Sequence, residues 1–136
     1  MVLGTSNKSE LLLGYYTKFG DGASDVAPLG DLYKTQVRGM ARYLKIPSSI
    51  IEKLPTAGLV PDQTDEGELG LSYTIIDKIL FGLECEMAVQ KIAKLLGLDQ
   101  GTVEGVKVRV EQNRHKRKFP KIPKLGLKTI GADLYE

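Results

Sequence analysis

The chain has 136 residues, 42% hydrophobic and 26% charged, which reads as one soluble globular domain long enough to bury a core. A formal charge of only +2 excludes a strong global pull toward nucleic acid or membrane. The single cysteine, Cys85, excludes a disulfide framework and any CxxC metal site and favours a reducing, cytoplasmic setting. No run reaches the ~20 apolar residues of a membrane span, and MVLGTSNKSE lacks the apolar core of a signal peptide.

Met1 to Leu3 read as the end of a buried strand. Asn7 and Glu10 stand at capping-box spacing before Leu11, Leu12 and Leu13, which predicts a helix running toward Tyr16 and broken by Gly20-Asp-Gly22. Asp25 to Leu29 read as a short extended segment. Asp31 is the predicted cap of a helix whose apolar face is Leu32, Val37, Met40, Ala41 and Leu44. Pro47 suits the first position of a short helix over Ser48 to Leu54. PTAGLVPDQTDEGELG, residues 55–70, reads as a long polar loop, and such loops in compact domains act as lids or binding loops.

The rest is predicted helical. Ile75, Ile76, Ile79, Leu80 and Leu83 make one stripe, and Val89, Ile92, Ala93 and Leu96 another, stopped at Gly97. Val103, Val106 and Val110 follow, with Thr102 as cap and Cys85 as a packed helix residue. The proline-spaced tail, FPKIPKLGLKTIGADLYE, is expected to lie extended over the surface. The chain is therefore expected to be α/β, helix-rich, with about two strands, both early.

A strand feeding a helix N-terminus makes an anion site, because backbone N–H groups and the helix dipole face the ligand. Thr5 and Ser6 add hydroxyl donors there. Glu10 has two readings, a cap or a carboxylate for Mg²⁺ beside a polyphosphate, and spacing alone favours the cap. Lys34, near the next helix start, opposes the dipole, which a bound phosphate would explain, although a solvated surface lysine is the commoner reason.

Taken in order, GTSNKSE, YYTKFGDGASDVAPLGDLYKTQVR, LPTAGL, QTDEGELGLSY and NRHKRKFP resemble the ammonia-dependent NAD synthetases over residues 1 to 130. The resemblance implies a ligase of NAD biosynthesis on an adenine-nucleotide hydrolase-like, Rossmann-like parallel sheet. Such an enzyme binds ATP, Mg²⁺ and deamido-NAD, adenylates the nicotinate carboxylate, and lets ammonia displace AMP. Carried over by motif, it implies Thr5, Lys34 and Thr56 for ATP, Glu10 for Mg²⁺, and Lys18, Asp25, His115 and Lys116 for deamido-NAD. It also implies a cytoplasmic homodimer. Mg²⁺ and lysines would offset the negative charges that a carboxylate and a triphosphate bring together.

The family's Ser-Gly-Gly loop, which grips the pyrophosphate of ATP and carries a Mg²⁺ ligand, has no counterpart here. Residues 1–136 are accordingly expected to be the C-terminal portion of a synthetase domain, inactive alone and completed by an N-terminal half. Gly58 stands where relatives often carry an acid and receives no role. Two alternatives remain at this level. One is a non-catalytic oligomerisation or regulatory subunit. The other is a helix-turn-helix DNA-binding module over residues 88–118, opposed by Asp99 and Glu104 at the start of its second helix.

Overall fold

The computed structural model describes residues 1–58 and 61–130. Leu59 and Val60 of the predicted loop, and residues 131–136 of the predicted tail, lie outside the described residues. Helix α1, Lys8–Leu13, begins as its sequence requires. Asn7 Oδ1 accepts from the Glu10 N–H and Glu10 Oε2 accepts from the Asn7 N–H, both at 3.1 Å. It stops at Gly14 and does not run on to Tyr16. Gly14 adopts left-handed φ of 67°, which only a residue without Cβ takes cheaply. The Gly20-Asp-Gly22 segment forms a separate turn, closed by Gly20 and Gly22 N–H groups on the Thr17 carbonyl at 3.0 Å.

Helix α2 is Lys34–Tyr43, and Asp31 does not cap it. Tyr33 is the cap residue, its N–H donated to Gln36 Oε1 at 2.8 Å, whereas Asp31 pairs with Lys8 at 3.2 Å. The expected apolar face is only partly covered: Leu32, Val37 and Ala41 are half-buried, none fully, and Met40 and Leu44 are exposed. Helix α3 is shorter than expected, Ser48–Ile51, with Pro47 just outside it. The polar stretch after Pro55 is not all loop. It contains α4, Asp65–Leu69, capped by Thr64 and closed by left-handed Gly70, with the Asp65 N–H on the Pro55 carbonyl at 2.9 Å. Five residues are too few to show helical periodicity in a sequence.

Helices α5 (Tyr73–Glu84), α6 (Val89–Leu96) and α7 (Gln100–Gln112) supply the core, and a 3₁₀ turn, Asn113–Arg117, follows. Their stripes meet as expected. Ile76, Ile79 and Leu80 pack with Ile92, Val103 and Leu13, each buried side chain contributing roughly 1.5–3 kcal/mol. The cap of α7 is Asp99, whose Oδ1 accepts from the Thr102 N–H at 3.0 Å, so Thr102 is the capped residue and not the cap. Cys85 is exposed at the end of α5 and is not packed.

The expected strands reduce, among the described residues, to one isolated parallel bridge between Leu3 and Val26, so no parallel sheet is formed there. Its N–H groups bond on one side only, and Val2 and Leu3 are more than half exposed rather than buried, because no helix covers them. Phe119, Leu125 and Leu127 of the described tail are almost fully exposed, in line with an arm along the surface. No helix among the described residues is long and apolar enough to cross a membrane.

Candidate functional site

Two clefts meet at Glu10, Thr56 and Asp65, which line both. The larger, about 530 Å³, lies between the end of α1, α4 and the α7–3₁₀ junction, and Thr5 and Lys116 also line it. The smaller, about 390 Å³, lies between α2 and α3 and holds Lys34 beside apolar Val37, Ile50 and Leu54. Volumes of this order suit nucleotide-sized ligands. All three residues expected at ATP, and the one expected at Mg²⁺, therefore border this pair of clefts.

The expected route to anion binding, through free helix N–H groups, is largely filled by the protein itself. At α1, the Lys8 N–H bonds the Leu32 carbonyl at 2.9 Å and the Glu10 N–H is spent on Asn7. At α2, the Lys34 N–H goes to Ser9 Oγ at 2.9 Å and the Thr35 N–H to Asp77 Oδ2 at 2.8 Å. Ser9 in turn donates its hydroxyl to Asp77 Oδ1 at 2.5 Å. Asp77 and Ser9 are both buried, so the start of α2 already holds its own anion. A phosphate here would be met chiefly by side chains, Lys34 among them.

That ammonium lies 3.1 Å from Glu10 Oε1 and 5.4 Å from the centre of the Tyr73 ring. Glu10 is thus a cap, as spacing favoured, and an ion-pair partner at once. The Tyr73 hydroxyl donates to Asp65 Oδ2 at 3.2 Å. Asp65 Oδ1 is buried and accepts no bond among the described residues. The Tyr15 hydroxyl stands near, but its one proton goes to Glu68 Oε2 at 2.7 Å. Burial raises the Asp65 carboxyl above its ordinary value, with Tyr73 and Lys34 opposing the rise and Glu10 adding to it. Burial, then Asp65, pushes the Tyr73 hydroxyl far above the usual phenol range, so it stays a donor. Glu68 is held low by Tyr15 and then Gln63.

Glu10 and Asp65 present only hard oxygen donors at the junction of the clefts. That set, with Asp65 Oδ1 unpartnered, fits Mg²⁺ completed by phosphate oxygens. Among the described residues no three acidic, histidine or cysteine side chains come together, so a metal here would depend on ligand oxygens.

Of the residues expected at the dinucleotide, three are brought together and one is not. Lys18 Nζ donates to the His115 carbonyl at 2.9 Å, and Lys116 Nζ donates to the Gly14 and Tyr16 carbonyls at 2.6 and 2.9 Å. Asp25 lines neither cleft. Its carboxylate accepts from the Val2 N–H at 2.6 Å, at the Leu3–Val26 bridge. Within the basic run, Lys116 and Arg117 form a clasp. Arg117 reaches the Leu11, Leu12 and Val110 carbonyls, placing positive charge on the C-terminal ends of α1 and α7. Arg117 is thereby committed, which removes a basic group the helix-turn-helix alternative would have used.

Sequence reasoning did not single out Ser9, Asp65, Asp77 or Arg117. Asp77 had a signal: a lone acid inside the apolar stripe TIIDKIL demands a buried partner. Asp65 had none beyond lying in an acidic run.

Comparison with known proteins places this geometry. The NAD synthase family model matches residues 1–120. The chain belongs to the NAD synthase family. It is 50% identical over 126 residues to the NH(3)-dependent NAD(+) synthetase of Pyrococcus furiosus, covering 92% of this chain and 49% of that relative. Among solved structures it resembles an NMN synthetase from Francisella tularensis, with TM-score 0.73 and 37% identity over 90% of this chain and 46% of that one. It also resembles an NH3-dependent NAD synthetase from Campylobacter jejuni in complex with nitrate, with TM-score 0.66 and 36% identity over 90% of this chain and 44% of that one. The chain spans about half the length of the curated relatives it matches, proteins named as ammonia-dependent NAD synthetases, which are ligases.

Proposed function

We propose that residues 1–136 supply part of an ammonia-dependent NAD synthetase site, acting in ATP-dependent amidation of deamido-NAD in the cytoplasm. The observation that carries this reading is the meeting of Thr5, Glu10, Thr56 and Lys34 around two joined clefts in a chain of the NAD synthase family. In the reaction, the nicotinate carboxylate attacks the α-phosphorus of ATP, pyrophosphate leaves, and ammonia then displaces AMP from the acyl carbon. Lys34 would swing from Glu10 to the phosphates, and Thr5 and Thr56 would donate hydroxyl protons to ATP. Glu10 would hold Mg²⁺, which when bound supplies positive charge beside the phosphates. Lys116 would meet deamido-NAD at the large cleft, which it lines, and Lys18 and His115, which line neither cleft, would join it from the turn that carries Lys116. Asp25 would join them only after leaving the Val2 N–H.

The pyrophosphate-gripping loop of the resemblance is supplied by none of these residues. Losing one preorganised donor to developing charge costs about 10²–10³ in rate, and here a loop of donors is at issue. Residues 1–136 therefore turn over only when paired with an N-terminal half, in a homodimer of the completed protein. The exposed apolar groups of the α2–α3 corner, Tyr43, Leu44, Ile50 and Leu54, favour a further contact of this kind.

The test is NAD formation from ATP, Mg²⁺ and ammonia, with the chain alone and with the N-terminal half of a family member added. Deamido-NAD and nicotinate mononucleotide serve as parallel substrates. The expected result is no turnover alone and measurable turnover of deamido-NAD in the mixture. Robust turnover by residues 1–136 alone would refute the division of the site. Preference for the mononucleotide would move the reading to the chemistry named for the Francisella neighbour.

A further inference from the structure

We propose that Asp65 is the second carboxylate of a divalent-cation site shared with Glu10, and that Lys34 is the built-in counter-ion that a cation and its phosphate ligand displace together. The inference rests on the reading of Glu10 as a metal ligand and deepens it. Its warrant is local. Asp65 is 5% exposed, lines both clefts beside Glu10, and has one carboxyl oxygen with no donor among the described residues. A buried polar atom without a partner is costly and is retained where something else satisfies it. Among the described residues the surroundings supply no donor. Tyr73 is spent on Oδ2, and Tyr15 is spent on Glu68. The Asp65 N–H is tied to the Pro55 carbonyl, which pins the residue between the two clefts.

Lys34 completes the arrangement. Its ammonium bonds Glu10 Oε1 over the Tyr73 ring, and its charge acts on Asp65 as well. One positive charge thus serves two carboxylates. A divalent cation would balance both, freeing the ammonium for a phosphate. Charge is conserved in that exchange: one divalent cation enters between two carboxylates while one ammonium moves to the incoming anion. Hard oxygen donors, few protein ligands and completion by phosphate are what Mg²⁺ and Mn²⁺ favour.

Manganese provides a readout independent of turnover. The chain is titrated with Mn²⁺ while paramagnetic broadening of its backbone amide signals is followed by NMR, for the parent, Glu10→Gln, Asp65→Asn and Lys34→Met. Broadening should centre on residues 10, 34 and 65. Asp65→Asn should weaken Mn²⁺ about tenfold through the lost charge. Lys34→Met should tighten it by a similar factor, because the competing ammonium is gone. If Glu10→Gln weakens Mn²⁺ while Asp65→Asn leaves it unchanged, this proposal is overturned and the Glu10 reading survives. If Glu10→Gln has no effect, the Glu10 reading itself fails, and this proposal fails with it. Should Asp65→Asn lose its folded spectrum, Lys34→Met decides: unchanged or weaker Mn²⁺ binding overturns the exchange.

Discussion

Replacing Asp77 by alanine should loosen the junction that presents Lys34. In the structure, Asp77 accepts the buried Ser9 hydroxyl at 2.5 Å and the Thr35 N–H at 2.8 Å, and Ser9 passes the link on to the Lys34 N–H. A buried donor left without acceptor costs about 1–3 kcal/mol. Thr35 is only part-buried and regains water, so Asp77→Ala should cost about 2–4 kcal/mol in all. With a urea slope of about 1–3 kcal/mol/M, the unfolding midpoint should fall by about 1–2 M. Asp77→Asn should cost less, because its carbonyl can still take one donor while its amide opposes the other. Urea unfolding followed by circular dichroism measures all three forms, and Ser9→Ala with Ser9→Ala/Asp77→Ala closes a double-mutant cycle. A coupling energy of about 0.5–3 kcal/mol is expected for residues in one network. Additive effects, or a midpoint unmoved by Asp77→Ala, would refute the view that this carboxylate anchors the start of α2.

Gly14→Ala should destabilise by about 2–4 kcal/mol, the sum of a left-handed backbone and a Cβ overlapping Asn113, whose Oδ1 would stand 2.7 Å away. Gly70→Ala, with φ of 72° but open space around it, should pay only the backbone cost of about 1 kcal/mol, and equal losses in thermal melts would refute the packing argument. Asp65 predicts a pH dependence. Its folded carboxyl is raised above the ordinary 3.8, so its stabilising contribution is full below that value and is lost as pH rises through the raised one. Subtracting the Asp65→Asn profile of urea midpoints from the parent's should reveal that decline, and parallel profiles would contradict it. The same variant should be more stable than the parent at neutral pH while binding Mn²⁺ less well.

Residues 1–136 carry their family and most of their helices in local pattern. The Asn7–Glu10 capping box, the α5 to α7 stripes and the Gly97 stop each depend on spacings within one or two turns, which a sequence displays directly. The ordered motifs likewise brought Thr5, Glu10, Lys34 and Thr56 into one expectation, and the fold places them around joined clefts. Shorter signals misled: Asp31 and Thr102 looked like caps, two and three residues away from the true caps Tyr33 and Asp99. What only tertiary structure decided is who satisfies whom. Ser9 meets Asp77 across 68 residues, and Lys116 meets Gly14 across 102. The first fills the start of α2 that local reasoning left open for an anion, the second the C-terminal end of α1, and Asp65 is left with an unsatisfied oxygen among the described residues. Helix ends and carboxylates are promiscuous in sequence, because many donors and acceptors could serve each. Burial removes water as the default partner, and chain geometry then selects one.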